Sequence, residues 1–220
     1  MENCAGYGTV GPVRAAALLL CASSLVLLLA GCADHDHAVV ISVPEQRMVV
    51  LERGVPLAFY PVSTSKFGLG DVPGRGLTPL GELEIADKIG EGAPSGAVIK
   101  SRQRTGEIVP IDAPGRDPIV TRILWLRGVE ARNRNAYGRY IYIHGTPEER
   151  NIGRPVSYGC VRMRSRDVIA LYDTVGQGAR VLIEDEPLEQ AARPLLAQGA
   201  AIPAVVPVAS VPVAPTAPPE

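Results

Sequence analysis

The stretch RYIYIHGTPEERNIGRPVSYGCVRM, Arg139 to Met163, decides how the rest of the chain is read. Its opening residues alternate strictly, as in an extended strand whose side chains point to opposite faces in turn. Tyr140, Tyr142 and His144 fall on one face, while Ile141 and Ile143 fall on the other, toward a core. A loop carrying Glu148, Arg150 and Gly153 follows, and the chain then reaches Ser157-Tyr158-Gly159-Cys160. Just beyond lies SRDVIALYDTV, Ser165 to Val175, in which Val168, Leu171, Tyr172 and Val175 recur at helical spacing. Ser165 suits the N-cap, Asp167 the first turn, and Gly176 and Gly178 the stop. The pattern predicts a strand ending in a histidine, a returning loop, and a cysteine set ahead of a short helix.

Ile119 to Leu126 (IVTRILWL) reads as a neighbouring strand. Nearer the N-terminus, Val39 to Val43 and Met48 to Leu51 are apolar and β-branched, separated by Pro44-Glu45-Gln46. Arg53-Gly54 makes a turn before Val55 to Val62, so consecutive antiparallel strands are expected here. Lys66 to Pro79 is a loop rich in glycine and proline, and Glu82 to Ala86 resumes as a strand. Residues 87–118 carry Gly, Pro, Ser and charge, which predicts a long surface excursion with short strands. Ala179 to Ile183 is the last strand. The fold class that follows is mainly β, sandwich- or barrel-like, with one short helix after the cysteine loop. Pro187 to Gln198 has only a weak helical pattern, and the composition then turns to Ala, Val and Pro. Proline recurs too often there for a helix or a central strand. Residues 185–220 are therefore expected to be a flexible tail.

The chain has 220 residues and a formal net charge of -1, enough for one domain with flanking segments and no electrostatic case for nucleic acid. Ala15 to Ala30 is an apolar run preceded by Arg14. It is short for a membrane span, which takes about 20 apolar residues, and fits the core of a secretory signal. The run ends in Leu29-Ala30-Gly31-Cys32, which resembles the bacterial lipoprotein signal. That resemblance implies cleavage before Cys32 and a lipid on its thiol. Residues 1–31 would be the signal, 32–38 the lipidated cysteine and a tether, and 39–184 the folded domain. His35 and His37 alternate with Asp34 and Asp36 in that tether. A solvated linker explains them better than zinc, which takes four ligands in fixed geometry.

Removing the signal takes away Cys4 and Cys21, and lipid would occupy Cys32. Cys160 is then an unpaired thiol in an exported protein, which reads equally as a reactive group or an inert buried one. The chemistry beside it favours the first. A thiol at neutral pH is mostly protonated, and a neighbouring imidazole can take the proton. His144 is the single histidine of the expected domain, and the loop between it and Cys160 can fold back to bring them together. The carbonyl of Gly145 is a ready acceptor for the imidazole N–H, which would fix the tautomer. Gly159 allows a tight turn at the nucleophile. The amides of Tyr158, Gly159 and Cys160 are candidates for an oxyanion hole, and Arg162 for positive charge toward a substrate carboxylate or the loop carbonyls. Arg132, Arg134, Arg139, Arg150, Arg154, Arg164 and Arg166 crowd the same region, suiting an acidic peptide or simply a solvated face.

His144-Gly145-Thr146 followed by Ser157-x-Gly159-Cys160-Val161-Arg162 resembles the active-site signature of the L,D-transpeptidase (YkuD-type) family. Thr78-Pro79-x-Gly81 and Val62-Ser63-Thr64-Ser65 resemble two further segments of that domain, and the likeness runs from Val39 to Ile183. It implies a β-sandwich-like fold, Cys160 as nucleophile, His144 as its base, and Ser157, Gly159 and Arg162 in support. Many members carry histidine at the position of Tyr158. The resemblance further implies stem peptides of peptidoglycan as partners, a thioester on Cys160, and cross-linking as the outcome. No cofactor or metal is called for. A hydrolase that trims stems, a silent peptidoglycan-binding lipoprotein and an attachment enzyme for envelope proteins are the alternatives. A lipid on Cys32 would hold the protein at the membrane of the cell envelope. With Ala33 rather than Asp next to it, the outer membrane facing the periplasm is expected in a Gram-negative cell.

Overall fold

The structure, a computed structural model, describes residues 33–202. The signal segment and Cys32 lie outside them, as does the end of the tail.

Three strands open the fold as an antiparallel meander: β1 (His37–Ser42), β2 (Arg47–Glu52) and β3 (Val55–Pro61). Arg53 and Gly54 join β2 to β3 at φ 49° and 78°, the paired positive values that a two-residue hairpin turn demands. The sheet continues with β4 (Gly81–Ile89), β5 (Ala97–Lys100), β6 (Gln103–Ile108), β7 (Val120–Gly128), β8 (Tyr142–Gly145), β9 (Val161–Met163) and β10 (Arg180–Glu184). Its spatial order is β3-β2-β1-β10-β4-β7-β5-β6, with β8 also on β7 and β9 on β8. The β1–β10 and β8–β9 pairs are parallel and the others antiparallel, so the sheet is mixed and the fold mostly β.

One helix, α1 (Ser165–Thr174), covers the inner face. Val168 and Leu171 of α1 are wholly buried among Val39, Ile41, Leu83, Ile85, Leu124, Leu126, Ile143, Val161, Val181 and Ile183. Each such side chain contributes about 1.5–3 kcal/mol by leaving water. This core anchors β7, β8 and β9, the strands that carry the site.

Four expectations need correction. Residues 185–202 are not a free tail: α2 (Leu188–Ala192) and Ile202 pack on Val40, Val49 and Leu51, the other face of β1 and β2. The β-branched run of β1 is buried on both faces, and that second face needs a cover. The tether is shorter than supposed, because the Asp34 carboxylate accepts from the Gly176 amide at 2.6 Å and from the His37 amide at 3.0 Å. Ser165 is the first helical residue rather than the cap; Arg164 stands at the N-cap, and the Ser165 amide donates to Glu149 Oε1 at 2.8 Å. Finally, β8 begins at Tyr142, since Tyr140 turns out of the strand with φ 60°.

Candidate active site

The parallel pairing of β8 with β9 sets the geometry. Ile143 aligns with Val161 and His144 with Arg162. Cys160, one residue ahead of β9, therefore flanks Tyr142. Side chains alternate along both strands, so Tyr142, His144, Cys160 and Arg162 share a face. Imidazole and thiol lie diagonally across the two strands, brought together by the loop that leaves Gly145 and returns at Ser157.

His144 is buried, and its Nδ1–H donates to the Gly145 carbonyl at 2.9 Å, which leaves Nε2 with the lone pair. Cys160 Sγ donates to the Tyr140 carbonyl at 3.4 Å. Among the described residues no hydrogen bond links His144 to Cys160 directly. Burial pushes the His144 pKa down to about 4, with the Arg162 charge adding to the fall and the Gly145 bond opposing it. Burial pushes the Cys160 thiol up, against the opposing pull of a Tyr142 backbone bond and the Arg162 and Arg139 charges. The resting pair at neutral pH is thus a neutral imidazole and a neutral thiol, suited to proton transfer during attack rather than to a standing ion pair.

The turn before the nucleophile is held at Ser157, Gly159 and Cys160. Ser157 Oγ donates to the Cys160 carbonyl at 2.6 Å and accepts the Gly159 amide at 3.2 Å. Gly159 takes φ 121°, and a Cβ there would meet the Leu77 carbonyl at 3.2 Å. The Thr78 hydroxyl donates to the Gly159 carbonyl at 3.0 Å and accepts from the Ser65 amide at 3.0 Å. Ser157 also bridges to Ser65, and Ser63 to Arg162. The two outlying segments, 62–65 and 78–81, hence converge on the cysteine loop. With the Gly159 amide engaged, the amides of Tyr158 and Cys160 are the ones without a protein acceptor among the described residues.

Arg162 is buried beside the cysteine turn, its guanidinium 5.8 Å from the centre of the Tyr158 ring. It pairs with Asp117 at 2.6 Å and approaches Glu148 at 4.0 Å, and Asp117 also accepts from the Thr146 hydroxyl at 2.5 Å. These contacts lock the loop after β8, while the Arg162 charge also acts on His144 and Cys160. Asp117 was missed from the sequence because nothing in Gly115-Arg116-Asp117-Pro118 marks it as a partner for a residue so far along the chain. Arg139, one of the clustered arginines, is likewise inward: it binds Asp71 at 2.6 Å and the Leu77 carbonyl at 2.5 Å. These bonds brace the loop that walls the site.

Cys160 opens into a cleft of about 770 Å³ lined by Phe67, Arg75, Gly76, Arg139, Ile141 and Tyr158 among others. Tyr158 stands exposed with its ring 5.5 Å from Phe67, and the Lys66 ammonium lies 4.3 Å over it. Arg75 is exposed on the wall and has no ion-pair partner among the described residues. Among the described residues no acidic side chain lines the cleft. Among the described residues no group of three His, Cys, Asp or Glu is placed to hold a metal ion.

A family model described as the L,D-transpeptidase catalytic domain (YkuD) matches residues 36–183. The chain is 29% identical over 159 residues to the probable L,D-transpeptidase YcfS of Escherichia coli K12, covering 69% of this chain and 48% of that protein. It is 44% identical over 57 residues to the probable L,D-transpeptidase YbiS of the same strain, covering 26% of this chain and 19% of that one. The chain thus spans less than half the length of either relative. Among solved structures, an L,D-transpeptidase from Mycobacterium smegmatis aligns at TM-score 0.45 and 20% identity, over 68% of this chain and 58% of that one.

Proposed function

The chain belongs to the L,D-transpeptidase catalytic-domain family, and from that premise we propose that it cross-links peptidoglycan stem peptides through a thioester on Cys160. As substrate enters, the Cys160 proton passes to His144 Nε2 and sulfur attacks the carbonyl of the third residue of a tetrapeptide stem. The Tyr158 and Cys160 amides donate to the oxyanion. The C–N bond to the terminal D-alanine breaks, and its amine leaves with the proton from His144. An amine of a second stem then attacks the thioester, gives its proton to His144, and expels the sulfur, which regains that proton. The residues supply every proton, so no cofactor enters the scheme.

The observation that carries this reading is the 2.9 Å contact between His144 Nδ1 and the Gly145 carbonyl: a carbonyl accepts, so the hydrogen belongs on Nδ1 and Nε2 is left basic, on the strand face shared with Cys160. The cleft supports the substrate class. Arg75 gives it an unpaired positive charge, the sign that the carboxylates of a stem peptide call for. The lipid on Cys32 and a place at the membrane facing the wall belong to the same proposal, carried by the Leu29-Ala30-Gly31-Cys32 sequence.

Incubating the purified protein with disaccharide-tetrapeptide and reading products by mass spectrometry tests it. Dimers formed with loss of alanine, absent with Cys160→Ala, are expected. Loss of alanine without dimers would replace cross-linking by trimming. Unchanged substrate would sink both.

A further inference from the structure

Strand β7 carries a bulge directly opposite the histidine. Val120 pairs with Gly145, yet Ile123 pairs with His144, so Thr121 and Arg122 have no counterparts in β8. Thr121 sits at φ 73°. That region is costly for a β-branched residue and persists only where the surroundings impose it. Here they do. Thr121 is fully buried; its hydroxyl accepts the Gly96 amide at 3.0 Å and shares a hydrogen bond with Ser165 Oγ at 2.9 Å. Its carbonyl accepts from Arg122 Nη1 at 2.9 Å, and the same nitrogen reaches the Ala93 carbonyl at 2.7 Å. The bulge is thereby tied to the turn before β5 and to the first residue of α1.

Its consequence falls on Gly145. The β7 backbone comes so close that a Cβ at Gly145 would lie 2.7 Å from the Val120 carbonyl and 3.2 Å from Thr121 Cβ. A regular ladder would keep the carbonyls of β8 in the sheet plane, at right angles to the side chains. At the bulge the Gly145 carbonyl instead meets the ring of the preceding residue. Bulges commonly re-aim groups next to active sites in this way.

We propose that Thr121 is a positioning residue for the reaction: its hydroxyl-pinned, left-handed conformation sets the bulge that turns the Gly145 carbonyl onto His144 Nδ1, keeping Nε2 free to take the thiol proton. This rests on His144 being the base. Thr121 touches neither substrate nor thiol and acts through Gly145 alone.

The tautomer can be read without substrate, by nitrogen NMR of the full chain labelled at histidine, with the His144 signals identified by their loss in His144→Gln. Wild type is expected as the Nδ1–H form. Thr121→Val keeps the shape and removes the hydroxyl. It should release the bulge, shift His144 toward the Nε2–H form, and lower kcat by roughly 10- to 100-fold, part of the range general-base catalysis supplies, with KM little changed. Thr121→Ser should restore both readouts. A folded Thr121→Val with the wild-type tautomer and kcat would overturn the proposal. If that variant does not fold, Ser165→Ala carries the test: it removes one partner of the hydroxyl, and an unchanged tautomer there also overturns the proposal. Should the protein prove inactive on stem peptides, the tautomer comparison still decides the role of Thr121.

Discussion

His144 does its proposed work from inside a strand pair, where water does not reach it and the Arg162 charge stands beside it. Its pKa is near 4, against about 6.5 for an unperturbed imidazole, so it stays neutral and basic through the whole mildly acidic range. The sign is simple: protonation removes the base, and it occurs only as pH falls through about 4. The pH profile of kcat/KM should keep its plateau down to about pH 5 and lose its acid limb near 4. The upper limb belongs to the thiol and lies above the usual cysteine range. An acid limb near 6.5 would contradict this account of the site. Replacing His144 by Gln should cost roughly 10²- to 10⁴-fold in kcat, the usual worth of a positioned base. At this scale His144 and Cys160 were legible because their neighbours, Gly145 and Gly159, leave a local signature. Asp117 and the Arg139–Asp71 pair were not, because an ion pair between distant loops has no local pattern to betray it.

Among the elements, the loop from Lys66 to Leu80 matters beyond its role as a cleft wall. It is a strap whose Thr78 hydroxyl ties the cysteine turn to the Val62–Ser65 segment through two buried hydrogen bonds. Thr78→Val keeps the volume and leaves both partners unsatisfied. It should destabilise the fold by about 1–3 kcal/mol in urea titration, with a lowered kcat as the Gly159 carbonyl comes loose. A variant as stable and active as wild type would show that the strap is incidental. The strands themselves were readable from alternation and β-branched runs, their ends less so. Tyr140 continues the alternating pattern of β8 in sequence but adopts φ 60°, which no periodicity reveals. Thr121 hides in the same way: IVTRILWL reads as one even strand, and nothing in it shows that Gly96 and Ser165 reach the hydroxyl at the bulge.

Taken whole, the molecule has a sheet buried on both faces near its N-terminal strands, and the C-terminal segment supplies the second cover. Proline at 187 and 194 and a helix of five residues made that segment read as tail. What decides its order is tertiary: Leu188, Ala191 and Ala192 fill the outer face of β1 and β2. Leu188→Ala should therefore cost about 2–5 kcal/mol, as a core truncation does, whereas a residue in a free tail would cost almost nothing. A thermal or urea midpoint decides between them. That buried frame is what allows a small strand pair at its edge to hold a thiol and an imidazole in fixed register.

The proposed reaction depends on acylation of Cys160 by a stem peptide. The most direct measurement is the intact mass of the protein after mixing with disaccharide-tetrapeptide and no acceptor, followed by digestion to locate the change. A mass gain equal to the donor less alanine, carried on Cys160 and absent in Cys160→Ala, is expected. An unmodified protein beside donor that has lost no alanine, or an adduct that survives in Cys160→Ala, would contradict it.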